Sequence, residues 1–157
     1  MIIKFIFMLF LLLSLLLNDV RAAAKTQLFL KGRVQSKLSL TIVPLPVATA
    51  LPLMNDVRDL KVGTSKVSGN GGILYRITVE SLNRGNLRQS GGTGLFPYTL
   101  KYGGQPVSLD RTAALYHLGP GRIDRERELT VTYRGASAAS LPAGDYSDTL
   151  MFTITAR

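Results

Sequence analysis

The sequence predicts an all-β fold, an antiparallel sandwich of short strands. Three observations carry this expectation. Apolar and polar residues alternate with period two in run after run, most clearly in Ile73–Ser81 and across the closing stretch Leu141–Arg157. Gly-, Asn- and Pro-rich turn signals separate the runs, as in Ser68-Gly69-Asn70-Gly71-Gly72. No stretch outside the N-terminus shows the 3.6-residue period of an amphipathic helix.

The N-terminus reads as a leader rather than as part of the fold. Lys4 precedes an apolar run, Phe5 to Leu17, broken only by Ser14, and Ala22-Ala23-Ala24 supplies a small-residue cleavage site. The run is short for a membrane span of about 20 apolar residues, so no membrane insertion is expected after cleavage. The expected organisation is a signal peptide over 1–24 and one domain over 25–157. That length suits a single core.

The mature chain opens with two alternating pieces. Leu28, Leu30, Gly32 and Val34 share one parity, and Leu38, Leu40 and Ile42 share the next, which predicts strands near 27–34 and 37–43, or one kinked strand. Pro44 and Pro46 end the ladder because proline has no amide donor. Residues 47–59 lack a period and read as an irregular connection with a helical turn; Leu60–Thr64 reads as a short strand. Ile73–Ser81 is rich in β-branched and aromatic residues and reads as a strand. Asn83 to Gly94 reads as a glycine-rich loop. Phe96–Tyr102 and Gln105–Leu109 flank Gly103-Gly104, a hairpin signal, and Pro106 places the returning strand at an edge. Asp110 to Glu128 reads as a long connection ending in Arg125-Glu126-Arg127-Glu128. Leu129–Tyr133 is a strand, and Gly135 to Leu141 a small-residue loop. In the last run Tyr146, Leu150, Phe152 and Ile154 share one face, with Ser147, Thr149, Thr153 and Thr155 on the other. The total is seven or eight strands, the pattern of an Ig-like or Greek-key sandwich, with a small barrel as the alternative.

Composition bounds the chemistry. The chain has no cysteine, which excludes thiol nucleophiles and cysteine-ligated metals and leaves packing to stabilise the fold. Its one histidine, His117, lies among apolar residues and reads as a packing or loop residue, so no catalytic triad or histidine metal site is expected. The mature carboxylates are scattered, and several neighbour arginines, so no glycosidase pair, calcium loop or cofactor site can be assembled. The glycine-rich loop fits neither phosphate-loop nor dinucleotide fingerprints. The expectation is a non-enzyme. The leader holds Lys4, Arg21 and Asp19, so the remainder keeps +8 of the chain's +9. That balance favours anionic surfaces or glycans, but without a cationic run it gives no nucleic-acid site. The tyrosines on predicted strands read as packing residues ahead of a sugar-stacking face.

The leader, the all-β body and the ending Pro142-Ala143-Gly144-Asp145-Tyr146-Ser147-Asp148-Thr149-Leu150 together resemble secreted bacterial pilin-like subunits. The groups concerned are the spore coat protein U-like domain and the chaperone–usher fimbrial subunits. Gly32-x-Val34 followed by Leu38-x-Leu40-x-Ile42 is similar to their start. The disulfide many members carry is missing here. The resemblance implies an Ig-like sandwich lacking one strand, completed by a partner's extended segment. It also implies a structural role in a fimbria, pilus or coat, with adhesion as a further role. The implied partners are neighbouring subunits, a periplasmic chaperone and an outer-membrane usher, and the implied location is the periplasm and then the cell surface. The chain stops at Arg157 just after its last run, so a further strand is expected to come from elsewhere. Candidates for the inserted strand and the groove are Leu28, Leu30, Gly32 and Val34, and Tyr146, Leu150, Phe152 and Ile154. The first four fit equally the domain's own first strand. The rival expectation is a self-contained exported β-sandwich that binds a glycan or another anionic ligand.

Overall fold

A computed structural model describes residues 27–71, 73–119 and 122–156; the expected leader lies outside them. The chain divides into two units, Met1–Val34 and Gln35–Arg157. The described part of the first unit is an extended segment with no strand assignment, and Leu28, Leu30 and Val34 are 83%, 82% and 86% exposed. The strand expected near 27–34 is therefore not formed. Alternation supplies a face, but a strand also needs a ladder partner, and this segment has none among the described residues.

The second unit is all-β and antiparallel. Its strands are β1 (Leu38–Pro44), β2 (Val57–Gly69), β3 (Ile73–Ser81), β4 (Asn86–Gln89), β5 (Leu95–Pro97) and β6 (Thr99–Tyr102). They continue with β7 (Gln105–Val107), β8 (Ala113–Gly119), β9 (Ile123–Tyr133), β10 (Tyr146–Ser147) and β11 (Leu150–Ala156). Single 3-10 turns occupy Pro46–Thr49 and Gly135–Ala138. The large sheet runs β1-β2-β9-β6-β7, a second runs β11-β3-β8, and a small one runs β10-β4-β5. Their inner faces share one core. Val67, Leu100 and Leu129 come from the large sheet, Tyr75, Ile77 and Val79 from β3, and Leu87 and Phe96 from the small sheet. This is a sandwich-like arrangement.

Several elements follow the sequence reading. β3 has the expected bounds. The β6–β7 hairpin turns at Gly103 (φ +56°) and Gly104 (φ +82°), the two left-handed positions a type I′ turn requires, and β7, with Pro106, is an edge strand.

Other elements differ. β2 runs from Val57 to Gly69, beyond the Leu60–Thr64 expected: a register shift between Val57 and Leu60 disturbs its start, and Ser65–Gly69, paired to β1 and β9, carries only Val67 as an apolar signal. At Gly63 a Cβ would stand 2.9 Å from the Val43 carbonyl oxygen, so β1 crosses too closely for any side chain. The expected loop over 83–94 contains β4, whose pairing with β5 and β10 holds it as a strand. The expected connection over 110–128 contains β8 and the start of β9. The closing run is two strands, not one: Tyr146–Ser147 pairs with β4, and Leu150–Ala156 pairs with β3.

Candidate functional site: an apolar groove between two unpaired strand edges

β1 and β11 are both sheet edges, each laddered on one side only: β1 to β2, and β11 to β3. They approach each other without forming a ladder. Alternation sets their inward faces. Leu38, Leu40 and Ile42 on β1, and Leu150, Phe152 and Ile154 on β11, point toward the core but are only half-buried. Ser39 and Thr41, and Thr153 and Thr155, point outward and are exposed. Phe152 and Ile154 thus have the expected inward parity without the full burial expected of core residues, because no described strand covers the space between the two edges.

That space is a groove of about 380 Å³. Ile42 and Pro44 form one wall, and Leu150 and Phe152 the other. The floor comes from Val62 of β2, Leu87 of β4 and Leu129, Val131 and Tyr133 of β9; Ala48 and Leu51 come from the β1–β2 connection. Tyr133 packs edge-on against Phe96, with ring centroids 5.3 Å apart. Its hydroxyl is buried and has no hydrogen-bond partner among the described residues, and burial pushes the phenol above its usual range.

Asp148 lines the same groove and interrupts the closing run. Its Oδ2 accepts from the Ser81 hydroxyl (2.6 Å) and the Tyr98 hydroxyl (2.7 Å). Its Oδ1 accepts from the amides of Asn83 (3.0 Å) and Thr149 (2.8 Å). Ser81 Oγ in turn accepts from the Gly85 amide at 2.7 Å. Burial first, and then the bond to Asp148, push the Tyr98 phenol far above the ordinary tyrosine range, so it stays a donor. With four donors converging on it, Asp148 holds the β10–β11 break and the β3–β4 turn together. In the sequence it is only a polar residue on the parity of Tyr146, Leu150 and Phe152; its donors are 65 to 67 residues away for Asn83 and Ser81, and 50 for Tyr98.

Of the residues singled out from sequence, the structure places Leu150 and Phe152 on the groove wall, with Ile154 further along the same face of β11. Tyr146 stands outside it: it pairs with Gln89 on β4, and its hydroxyl donates to the Pro142 carbonyl at 2.7 Å. Leu28, Leu30, Gly32 and Val34 belong to the exposed extended segment.

Among the described residues, the remaining polar side chains converge on no second pocket of this kind. On β9, Asp124, Glu126 and Glu128 point to solvent. Glu128 pairs with Lys61 (2.8 Å) and Asp124 meets Lys66 (3.7 Å); Asp59 pairs with Lys101 (2.7 Å). All six side chains are substantially exposed, so these pairs contribute little to stability. His117 lies on β8 between the rings of Tyr75 (5.4 Å) and Tyr102 (6.2 Å), inside the sandwich. Desolvation first, and then Arg127 and Arg125, hold its imidazole below the usual range. Among the described residues no three His, Asp or Glu side chains cluster as metal ligands would, and no helix is long and apolar enough to cross a membrane. Comparison of the chain with protein-family models and with curated proteins returns no match.

Proposed function

We propose that this chain is an exported structural subunit of a surface appendage or coat, completed when a partner inserts an extended strand between β1 and β11. The observation that carries this reading is the groove itself, an apolar trough flanked by two strand edges with no ladder partner. Unpaired edges beside exposed apolar surface are an aggregation hazard, and an inserted strand removes both problems at once. The inserted strand must alternate, with apolar residues every second position. Leu28, Leu30 and Val34 have that spacing and are exposed, with Gly32 at the intervening position of the same parity. A neighbouring copy's segment is thus the natural occupant, and a periplasmic chaperone would supply an equivalent strand before assembly at an usher. The role is mechanical and calls for no catalytic group or cofactor. It assigns the protein to the periplasm and then to the cell surface.

A synthetic peptide copying residues 27–34, titrated into the mature chain, tests the reading. Saturating peptide should raise stability by about 2.7 kcal/mol at a hundredfold excess over its Kd, while a copy with Leu30→Asp should not. A chain that stays monomeric at every concentration and ignores the peptide would sink the proposal.

A further inference from the structure

At the far end of β1 lies a second depression of about 870 Å³, lined by cations and hydroxyls as well as by Leu38 and Ile123. Lys37, Lys66 and Arg122 surround it, against a single lining carboxylate, Asp124. Asp124 is engaged by Lys66 at 3.7 Å, which leaves Lys37 and Arg122 with no carboxylate at salt-bridge distance among the described residues. Glu126, opposite Lys66 in the β2–β9 ladder, lines the next depression along the sheet, with Lys101 and Arg127. The remaining lining is rich in hydroxyls: Ser36, Ser39 and Ser68. The Ser39 and Ser68 hydroxyls share one hydrogen bond of 2.7 Å across the β1–β2 ladder, and each keeps capacity for more.

The cleft wall is fixed by Asn70. Its Oδ1 accepts from the Lys37 amide (2.6 Å) and its Nδ2 donates to the Gln35 carbonyl (2.8 Å). Its own amide donates to the Lys37 carbonyl at 3.2 Å. Three bonds thus tie the backbone that carries Lys37 to the turn after β2, so the cation starts from a set position instead of a free tail.

We propose that this cleft binds an acidic saccharide chain through Lys37, Lys66 and Arg122, with the serine hydroxyls reading sugar hydroxyls. The unbalanced positive charge calls for an oxyanion, and the hydroxyl-lined concavity calls for a ligand that is itself rich in hydroxyls. No aromatic side chain lines the cleft, so it offers no platform for stacking nucleobases. The cleft and the groove share no lining residue, so saccharide binding can be read without a strand in the groove.

Calorimetric titration of the mature chain decides it. The probes are a heparin-derived hexasaccharide (sulfate), a hexagalacturonate (carboxylate), inorganic phosphate and a dT12 oligonucleotide. At least one hexasaccharide should bind and weaken as salt rises, and the stronger of the two identifies the oxyanion. The double substitution Lys37→Ser with Arg122→Ser should weaken binding about tenfold, and Asn70→Ala should weaken it less. Arg58→Ser with Arg111→Ser removes the same charge from exposed sites elsewhere and should change affinity less than about twofold. Thermal melts confirm that each variant folds, and Lys37→Gln alone serves if the double variant does not. Equal losses in the two double variants would reduce the effect to net charge and overturn the site. So would phosphate or dT12 binding as tightly as the hexasaccharides, or no binding by either saccharide.

Discussion

The closed centre of the sandwich and the groove beside it are built from the same residue types on the same two-residue period. In the centre, Ile77, Val79, Phe96 and Leu100 are fully buried. In the groove, Ile42, Leu150 and Phe152 face inward yet keep part of their surface in water. The difference lies in the neighbours. β3 has a ladder partner on each side, whereas β1 and β11 have one each. Alternation decides which way a side chain points, and what packs over it decides whether water is excluded: a strand on each side for Ile77 and Val79, and the Tyr133 ring for Phe96 on the edge strand β5. Part of the hydrophobic gain on β11 is therefore still to be realised, and it becomes available when something covers the groove.

The sharpest way to break this comparison is a pair of phenylalanines. Phe96→Ala should cost about 3–5 kcal/mol, the range for a fully buried ring, against a total of about 5–15 kcal/mol for a domain. Phe152→Ala should cost the chain alone only about 1–2 kcal/mol, since its ring is partly in water already. Thr153→Ala, on the solvent face, should stay within about 0.5 kcal/mol. Urea denaturation measures all three. Equal costs for the two phenylalanines would mean that the groove is closed in solution.

Asp148→Asn probes the junction between the two regions. The substitution replaces one acceptor oxygen by an NH2 group and removes the charge, so two of the four donors lose their bond. A loss of about 2–3 kcal/mol is expected, below that of Phe96→Ala. Restoration of the loss by Tyr98→Phe in the same chain would show that the stranded phenol carries the cost.

Much of this was readable in the residues themselves. β3 and the Gly103-Gly104 hairpin stand out because a strong period and a turn chemistry agree there. The parity of Leu150, Phe152 and Ile154 was equally plain. β4 was invisible because Leu87 is its only buried residue, which gives no period to detect. β8 was obscured by alanines and a neighbouring Gly-Pro-Gly. Of β2 only Leu60–Thr64 was legible: a register shift disturbs its start, and Ser65–Gly69 holds a single apolar side chain, Val67. The groove floor draws on β2, β4 and β9, and three of the four donors to Asp148, Ser81, Asn83 and Tyr98, lie 50 or more residues away. Such convergence is set by strand order, which local pattern does not encode.

His117 offers a smaller test, on the closed side. Its surroundings are the rings of Tyr75 and Tyr102 and the cations Arg125 and Arg127. Because its folded pKa lies below the ordinary 6.5, the neutral form is favoured in the fold. Its contribution to stability is full above about pH 6.5 and is lost as pH falls through the folded value. Denaturation midpoints should therefore drop on acidification over that window. His117→Phe should flatten the drop there, leaving the carboxylate titrations at lower pH untouched. An unchanged slope would place the imidazole in water.

A modest effect is expected at Tyr133, and it separates the free groove from the filled one. The ring is buried against Phe96, but the hydroxyl has no hydrogen-bond partner among the described residues. A buried donor without a partner costs about 1–3 kcal/mol, so Tyr133→Phe should leave the chain alone unchanged or raise its stability by up to about 1 kcal/mol. The filled groove should behave differently. Tyr133 lines the groove, so a backbone carbonyl of the inserted strand is an acceptor its hydroxyl can gain. The stabilisation given by the 27–34 peptide should then be smaller in the phenylalanine variant by about 0.5–1.5 kcal/mol. Equal stabilisation of both proteins would mean that the inserted strand passes out of reach of Tyr133. A destabilised free variant would mean that the hydroxyl is already satisfied before any partner arrives.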